Sequence, residues 1–507
     1  MIVVENYTFT PGARGVGTIV IPEVIELEGI QRIWNVTRGA LIYETTNAQY
    51  GIVSVVVANG ETTLTIETDT LTMNGGDDLQ ILVYGESSGG GGNTGLGQDG
   101  TIDAFGRQRV SSGYTLADYK SVYGADSEML SATSGGGSAV VAQTNKAAFR
   151  LTAGTGATDY AQRQSRMYHN YQPGKSQLYL SSFNFFAAKE NCNKRVGYFD
   201  DRNGIFLQLE GDTTLSFVKR SYVGGSVDDS ARVVQANWNV DRCDGTGPSG
   251  FEVDISNTQL MFTDFQWLGV GRIRVGFVHN GAEIIAHEFY HSNVLASVYW
   301  SQPSLPSRAE VRNTAATDVP TFMDMICSTV ISEGGYSEAG EDFSAGSAVR
   351  SIGNAPNTLP VFAIKLADTL NSYPNRLYAR ISSINVVAPA QIVKVEVIRV
   401  TSSTVITGGS WVPAGSGSGV EYNATATTYT AGATDQVMDV FYLPSGGVGG
   451  GNNSAVPITL QEPSKARRGY IAQNIVANDS MAYLIQITSL GNGATAAAAL
   501  QWREVGK

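Results

Sequence analysis

The residues best suited to do chemistry lie in one short run, His287-Glu288-Phe289-Tyr290-His291. On a helix, a His-Glu-x-x-His sequence places both histidines on one face, where they bind zinc while the glutamate activates a water molecule. Local sequence permits a helix here, because an asparagine that could serve as an N-cap precedes the run. One hypothesis for this chain is therefore a zinc metallopeptidase.

The same region also carries a hairpin signal. Asn280-Gly281 lies between two apolar runs, and this dipeptide is the strongest short-range mark of a tight turn between antiparallel strands. In the register of that hairpin, we expect Arg274 opposite His287. Residues 273–277 alternate with period two, which suits the first strand of such a hairpin.

In a strand conformation, the residues of this motif would lie too far apart to bind one zinc ion. Histidines four positions apart on a strand are about 13 Å from each other, at ~3.3 Å per residue, whereas two ligands of one zinc ion lie within roughly 3–4 Å. Glu288 would also point to the opposite face. We therefore expect no catalytic, metal-binding or cofactor-binding residues, with His287, Glu288 and His291 as a coincidental match. A helix over residues 282–291 would restore the enzyme hypothesis.

A second Asn-Gly pair, Asn203-Gly204, also lies between apolar runs and predicts another hairpin turn. We expect Asn203, Gly204, Asn280 and Gly281 to have structural roles in turns. Two such hairpins within a long series of short apolar runs favour an antiparallel sandwich.

The composition agrees with a chain built from strands. Charged residues are 16% of the 507 residues and hydrophobic residues 42%, with 58 glycines. This mixture suits short strands joined by tight turns better than helices. The sequence predicts an all-β protein with several antiparallel β-sandwich or jelly-roll-like domains joined by glycine-rich linkers.

The domain boundaries follow from changes in composition. Residues 1–86 are predicted to form a small β-sandwich or barrel, and residues 87–100 a glycine-rich linker. Residues 101–350 would form a central sandwich and residues 351–507 a C-terminal sandwich. Within the latter, Arg380 to Val387 and Ile392 to Val400 are predicted to pair, and the alanine-rich tail is either a short helix or a closing strand.

Charge and cysteine content argue against several classes of protein. The formal net charge of −12 gives no drive toward nucleic acid. Three widely spaced cysteines indicate neither a disulfide framework nor a metal site. The sequence shows no signal peptide and no long apolar run, so we expect no membrane span and no direct nucleic-acid partner. An aromatic set comprising Phe183 to Phe186, Trp238, Trp267 and Trp300 could line a sugar-binding surface or belong to a sandwich core.

Several segments resemble structural proteins of marine and freshwater tailed phages, including cyanophages. The resemblance covers residues 101 to about 310 and is carried by Asp103 to Ser111, Tyr114 to Lys120, Arg195 to Phe206, Trp238 to Leu260 with its Asp244-Gly245-Thr246-Gly247-Pro248-Ser249-Gly250 loop, and Gln266 to Phe277. Asn35-Val36-Thr37 and Asp77 to Ile81 are similar to small β-modules of cyanophage proteins.

This resemblance implies a non-enzymatic component of a bacteriophage virion, made and assembled in the host cytoplasm. The first expectation is a tail-associated protein, that is a fibre, baseplate or tail-adaptor component, which forms homo-oligomers and contacts other virion proteins. A capsid decoration or vertex protein is the alternative. A glycan-binding adhesin that recognises the host surface and the zinc metallopeptidase remain further alternatives.

Overall fold

The computed structural model describes residues 2–4, 7–22, 30–44, 52–58, 61–83, 113–124, 126, 128–389, 391–443, 456–458, 470–474 and 479–507. The predicted linker, residues 87–100, lies outside them. The described residues form antiparallel strands and three short 3₁₀ turns, so the prediction of an all-β fold is confirmed. The chain forms two compact units, Met1–Thr94 and Gly95–Lys507, and each is described by itself.

The N-terminal unit is a small sandwich. Its described strands are β1 (Ile2–Val4), β2 (Thr8–Thr10), β3 (Thr18–Ile21), β4 (Ile30–Asn35), β5 (Ala40–Glu44), β6 (Ile52–Ala58), β7 (Glu61–Ile66) and β8 (Leu79–Val83). One four-stranded sheet has the order β1-β8-β4-β5 and the other β2-β3-β7-β6. Every second residue of β3 and β7 is buried, and these side chains pack against those of β4 and β8.

The second unit begins with a larger sandwich of fifteen described strands. They are β9 (Tyr114–Tyr119), β10 (Met129–Ser134), β11 (Ala139–Gln143), β12 (Ala148–Ala153), β13 (Tyr160–Ser165), β14 (Ser176–Asn184), β15 (Cys192–Phe199), β16 (Gly204–Leu209), β17 (Leu215–Ser221), β18 (Asp228–Val234), β19 (Gln259–Phe265), β20 (Ile273–His279), β21 (Ala282–Phe289), β22 (Ser307–Asn313) and β23 (Thr321–Glu333).

These strands form two sheets that enclose one large core. The seven-stranded sheet has the order β10-β13-β22-β15-β16-β17-β18. The eight-stranded sheet has the order β11-β12-β23-β14-β19-β20-β21, with β9 also paired to β23. The core between them is rich in aromatic side chains, among them Tyr179, Tyr198 and Phe265.

The rest of the unit is a second sandwich. Its described strands are β24 (Gly340–Gly346), β25 (Arg350–Gly353), β26 (Thr358–Leu366), β27 (Thr369–Leu370), β28 (Tyr373–Pro374), β29 (Tyr378–Val387), β30 (Val393–Val400), β31 (Ile406–Thr407), β32 (Val412–Pro413), β33 (Val420–Asn423), β34 (Thr428–Tyr429), β35 (Gln436–Leu443), β36 (Val456–Ile458), β37 (Tyr470–Asn474), β38 (Asp479–Ser480), β39 (Ala482–Ser489) and β40 (Ala494–Val505).

Two sheets again face each other across an apolar core. One contains β24-β40-β29-β37-β38, with β25 paired to β40 and β36 to β29. The other has the order β32-β33-β26-β39-β30-β35. Because β24 pairs with β40, the chain passes from the first sandwich to the second at residues 334–339.

Three local features differ from expectation or resolve an alternative. The predicted pairing of β29 with β30 is wrong, since the two strands lie in opposite sheets: β29 pairs with β40, and β30 pairs with β39 and β35. The alanine-rich tail is a strand, β40, whose alternate residues are buried. Residues 294–300, which have a strand-like composition, form no strand.

The Asn203-Gly204 turn also differs from expectation. A hairpin joins β15 and β16, but Gly204 is already the first residue of β16 and pairs with Phe199. The connection is the four-residue loop 200–203. Asp200 organises it, because its Oδ1 accepts hydrogen bonds from the backbone N–H groups of Arg202 and Asn203. A short acidic side chain therefore replaces the predicted two-residue turn.

Candidate functional site

The His-Glu-x-x-His run lies at the end of a strand. Strand β21 covers Ala282–Phe289, and the hairpin turn before it contains Asn280 and Gly281, both with positive φ (51° and 83°). The turn-proximal pairing is the expected one, with His279 opposite Ala282. A bulge between Ile285 and His287 then shifts the register, so Arg274 is opposite Glu288, and the predicted Arg274–His287 pair is wrong.

His287 is buried and engaged by the backbone. The N–H of Asn239 donates to Nδ1 of His287 (3.2 Å), and the Asn239 side chain bonds the N–H and the carbonyl of Glu288. Burial lowers the pKa of His287 to about 4, so the ring is neutral. A neutral ring has one lone pair, here already used to accept from Asn239, and therefore none remains for zinc.

His291 follows the strand in a different environment. Its Nδ1 is 2.6 Å from the carbonyl of Gly271 and donates to it, and the ring stacks on Tyr299 with centroids 4.1 Å apart. Burial and the nearby ammonium of Lys219 lower the pKa of His291 to about 4. The two histidines of the motif are thus neutral rings held by separate backbone groups.

Glu288 has partners of its own on the other side of the sheet. Its carboxylate is 3.2 Å from Arg272 Nη1 and accepts a hydrogen bond from the Tyr290 hydroxyl. Because neighbouring residues of a strand point to opposite faces, Glu288 does not converge with His287. Within the residues that the structure describes, no three histidine, cysteine or carboxylate side chains form a group that could hold a metal ion.

The aromatic side chains considered for sugar binding are inside the first sandwich. Phe183, Trp238 and Trp300 are 1%, 4% and 0% exposed and belong to its core, against which Trp267 also packs. A surface that stacks on sugar rings cannot be built from side chains with no exposed face. The core alternative therefore accounts for Phe183, Phe185, Trp238 and Trp300, whereas Phe186 and Trp267 are half-buried.

Buried polar contacts join the two large sandwiches. Arg399, with no exposed surface, donates from Nη2 to Glu128 Oε1 at 2.6 Å. The Tyr470 hydroxyl donates to the other carboxylate oxygen of Glu128, and Arg399 Nε donates to the carbonyl of Tyr470 (3.3 Å). Burial first, and then the charge of Glu128, raises the pKa of Tyr470 far above its usual range.

Two further contacts join the two sandwiches at the same junction. Asp200 of the first sandwich accepts from the Tyr168 hydroxyl (3.2 Å) and lies 3.5 Å from Arg376 of the second. The Arg376 guanidinium also stacks over the Tyr168 ring at 4.5 Å. The junction therefore combines buried ion pairs with ring contacts, and it holds the two sandwiches in one arrangement.

A small cleft opens beside this junction. Its walls are Tyr114, Tyr336 and Tyr378, and Leu116, Met167, Asn170, Glu338 and Arg380 complete the lining. The rings of Tyr114 and Tyr336 stack with centroids 5.2 Å apart, and the hydroxyls of Tyr336 and Tyr378 are 2.7 Å apart. The cleft joins apolar ring faces to an amide and an Arg380–Glu338 ion pair. Its accessible space of about 20 Å³ holds a water molecule rather than a sugar.

Neither the junction nor the cleft could be predicted from the sequence. Glu128 is 271 positions from Arg399 and 342 positions from Tyr470, so no motif spacing connects them. The single available signal is the presence of charged residues within strand-like apolar runs, such as Arg399 in residues 392–400. A charge in such a run predicts a buried partner but does not identify it.

Among the described residues, no helix is long and apolar enough to span a membrane.

Comparisons with known proteins give structural likeness alone. No protein-family model and no curated protein matches the chain. Among solved structures, the carbohydrate recognition domain of Emp47p matches at TM-score 0.28 and 8% identity, over 44% of this chain and 98% of that one. A glycoside hydrolase family protein from Mycobacterium thermorestibile matches at TM-score 0.29 and 9% identity, over 42% and 99%.

A protein of unknown function from Shewanella oneidensis matches at TM-score 0.29 and 10% identity, over 47% of this chain and 94% of that one. At such identities and TM-scores, these likenesses carry no argument about activity or ligands. The sandwich architecture of the chain rests on its own strands and sheets.

Proposed function

We propose that the protein is a non-enzymatic structural component of a tailed-phage virion, associated with the tail as a fibre, baseplate or adaptor component. Three considerations support this proposal: the resemblance along residues 101 to about 310, the series of β-sandwiches, and the separate partners that hold His287, Glu288 and His291. A capsid decoration or vertex protein is the alternative within the same class.

The observation that carries the proposal is the junction between the two large sandwiches, which buried ion pairs and ring contacts hold in one arrangement. The buried Arg399–Glu128 pair and its Tyr470 hydrogen bond hold residues from 128 to 505 in one unit. A buried ion pair contributes little net stability compared with apolar packing, but it penalises any arrangement that separates the partners. Such a junction suits a rigid building block, since a fixed angle between domains determines the geometry of an assembly.

The proposal is tested on particles purified from the infected host. We expect the protein to remain with the particles through density-gradient purification, at a fixed copy number per particle measured by quantitative mass spectrometry. A protein found in the lysate but not in purified particles would contradict the proposal. A matched control is a known non-virion phage protein, which must be lost at the same step.

A second candidate function is recognition of a saccharide on the surface at the mouth of the junction cleft. Tyr114, with 40% of its surface exposed, offers its outer ring face to the apolar side of a sugar, since its other face stacks on Tyr336. The neighbouring Asn170, Glu338 and Arg380 carry hydrogen-bonding groups for the sugar hydroxyls. Host-surface glycan binding would be compatible with a place in the tail.

This candidate has its own test. Glycan-array binding by the intact protein should fall at least tenfold in Tyr114→Ala, while Tyr123→Ala, which removes a fully exposed tyrosine elsewhere, leaves it unchanged. Equal binding by the two variants, or no array signal for the wild-type protein, would remove the cleft as a sugar site and leave the virion proposal intact.

A further inference from the structure

One sheet of the N-terminal unit presents an outer face of hydroxyl and methyl groups. Strands β2, β3 and β7 bury alternate residues, whereas no residue of β6 is buried. On the outer face, the residues that alternate with the buried ones form two cross-strand rows that continue onto β6. The rows follow from the pairing register and are Thr10, Thr18, Thr65 and Ser54 in one, and Thr8, Val20, Thr63 and Val56 in the other. Neither row contains a charged residue.

Strand β6 forms the open edge of this sheet. It pairs with β7 on one side and, among the described residues, with no strand on the other. Val53, Val56 and Val57 are 56%, 55% and 47% exposed, and the whole strand Ile52–Ala58 contains no charge, proline or glycine. Soluble proteins usually protect such an edge with charges or proline, because its free N–H and carbonyl groups and apolar side chains invite a further strand.

Three other edge strands of the described chain carry acidic residues, whereas the edge strand β11 (Ala139–Gln143) is uncharged like β6. Strand β18 begins with Asp228 and Asp229, β24 contains Glu341 and Asp342, and β35 carries Asp439 among its exposed apolar residues. The chain as a whole has a net charge of −12. An uncharged edge is therefore a place where two copies of this acidic chain can meet without like charges facing each other.

We propose that two copies of the chain associate by antiparallel pairing of β6 with β6 of the second copy, across a two-fold axis at Val56. The bulge at Val53 makes residues 54–58 the segment that pairs. Val56 then lies opposite Val56 of the partner subunit, and Ser54 opposite the partner's Ala58. The sheet becomes continuous over eight strands, and the threonine-rich face extends across both copies. This interface is isologous, as in most two-fold dimers.

The inference is independent of the virion proposal, because self-association of the purified chain can be measured whether or not the protein belongs to a particle. Analytical ultracentrifugation of the full-length protein should show a dimer or a multiple of it at micromolar concentration. Val56→Lys places like charges opposite each other at the axis and should weaken association at least tenfold. Val319→Lys, at a 52% exposed valine in a loop of the other unit, is the matched control and should associate like the wild type.

A cross-linking experiment tests the pairing register of the two β6 strands separately from the affinity of self-association. Residues directly opposite each other in antiparallel strands are close enough for a disulfide. We expect Val56→Cys to form an inter-chain disulfide on mild oxidation, and Val319→Cys to stay monomeric on a non-reducing gel. A wild-type protein that is monomeric at tens of micromolar, a Val56→Lys variant that associates normally, or cross-linking no faster at residue 56 than at residue 319 would each overturn the proposal.

Discussion

Three histidines in the described chain are buried as neutral rings. His169 donates from Nδ1 to the carbonyl of Leu305 (2.8 Å) and accepts from the Tyr119 hydroxyl (3.0 Å), and burial lowers its pKa to about 4. His287 and His291 have pKa values lowered to about 4 as well. Lys219 lies near His291 with its ammonium over the Phe289 and Tyr299 rings, so a proton on His291 would meet a like charge.

These pKa values predict how stability changes with pH. A histidine whose pKa is lowered on folding takes up its proton at higher pH in the unfolded chain, so stability is lost as pH falls from about 6.5 toward 4. Each histidine contributes at most about 1.4 kcal/mol per pH unit in this window. Urea denaturation at pH 7.5, 6, 5 and 4 should show this decline. The decline in stability should be the same in the control variant His279→Gln, which removes an exposed histidine. A free energy of unfolding that does not change with pH over this range would contradict the lowered pKa values of the three buried histidines.

The chemistry of the His-Glu-x-x-His run leads to a second prediction. We expect the protein, dialysed against zinc and then against buffer, to retain less than about one tenth of an equivalent of the metal. A tight site needs several ligands that converge on one ion, whereas His287, Glu288 and His291 are held by separate partners. His287→Ala should lower stability by about 1–3 kcal/mol, since it leaves the buried N–H of Asn239 without its acceptor. One equivalent of tightly bound zinc, measured by atomic absorption, would restore the peptidase hypothesis.

At the scale of strands, the β20–β21 hairpin needs glycine at position 276. A Cβ atom there would lie 2.0 Å from the carbonyl oxygen of Ile284 and 2.9 Å from the Phe262 ring. Gly276→Ala should therefore lower the free energy of unfolding by about 1–3 kcal/mol, the usual cost of overpacking. Gly224→Ala is the control, because no atom lies within 4 Å of its Cβ position. Equal midpoints for the two variants in thermal denaturation would show that the hairpin tolerates the side chain.

Strands could be predicted from the sequence, but their partners could not. Alternating apolar residues predict β3, β7 and the two arms of the β20–β21 hairpin, and local turn chemistry at Asn280-Gly281 fixes the first pairs of that hairpin. At the bulge before His287, the carbonyl of Ala286 accepts hydrogen bonds from the backbone N–H groups of Val240 and Asp241, a long-range contact that no local pattern encodes. The same limit explains β29 and β30, whose short connection suggests a hairpin although each pairs within a different sheet.

At the scale of the whole molecule, the junction between the two large sandwiches gives a prediction of its own. Glu128→Gln leaves the Arg399 guanidinium buried without a countercharge, and loss of one partner of a buried pair costs about 3–5 kcal/mol. We expect a corresponding fall in the free energy of unfolding and separate calorimetric transitions for the two sandwiches. Asp342→Asn, in the exposed pair with Arg503, should cost less than about 1 kcal/mol. One unchanged transition in Glu128→Gln would show that the pair does not hold the junction.

The place of the protein in a phage particle is the central claim, and cryo-electron microscopy of purified particles tests it most directly. We expect density on the tail into which the described parts of the two joined sandwiches, within residues 113–507, fit as one rigid body in symmetric copies. Density on the head would establish the capsid decoration or vertex alternative. Absence of matching density from head and tail, in particles resolved well enough to trace strands, would contradict the account.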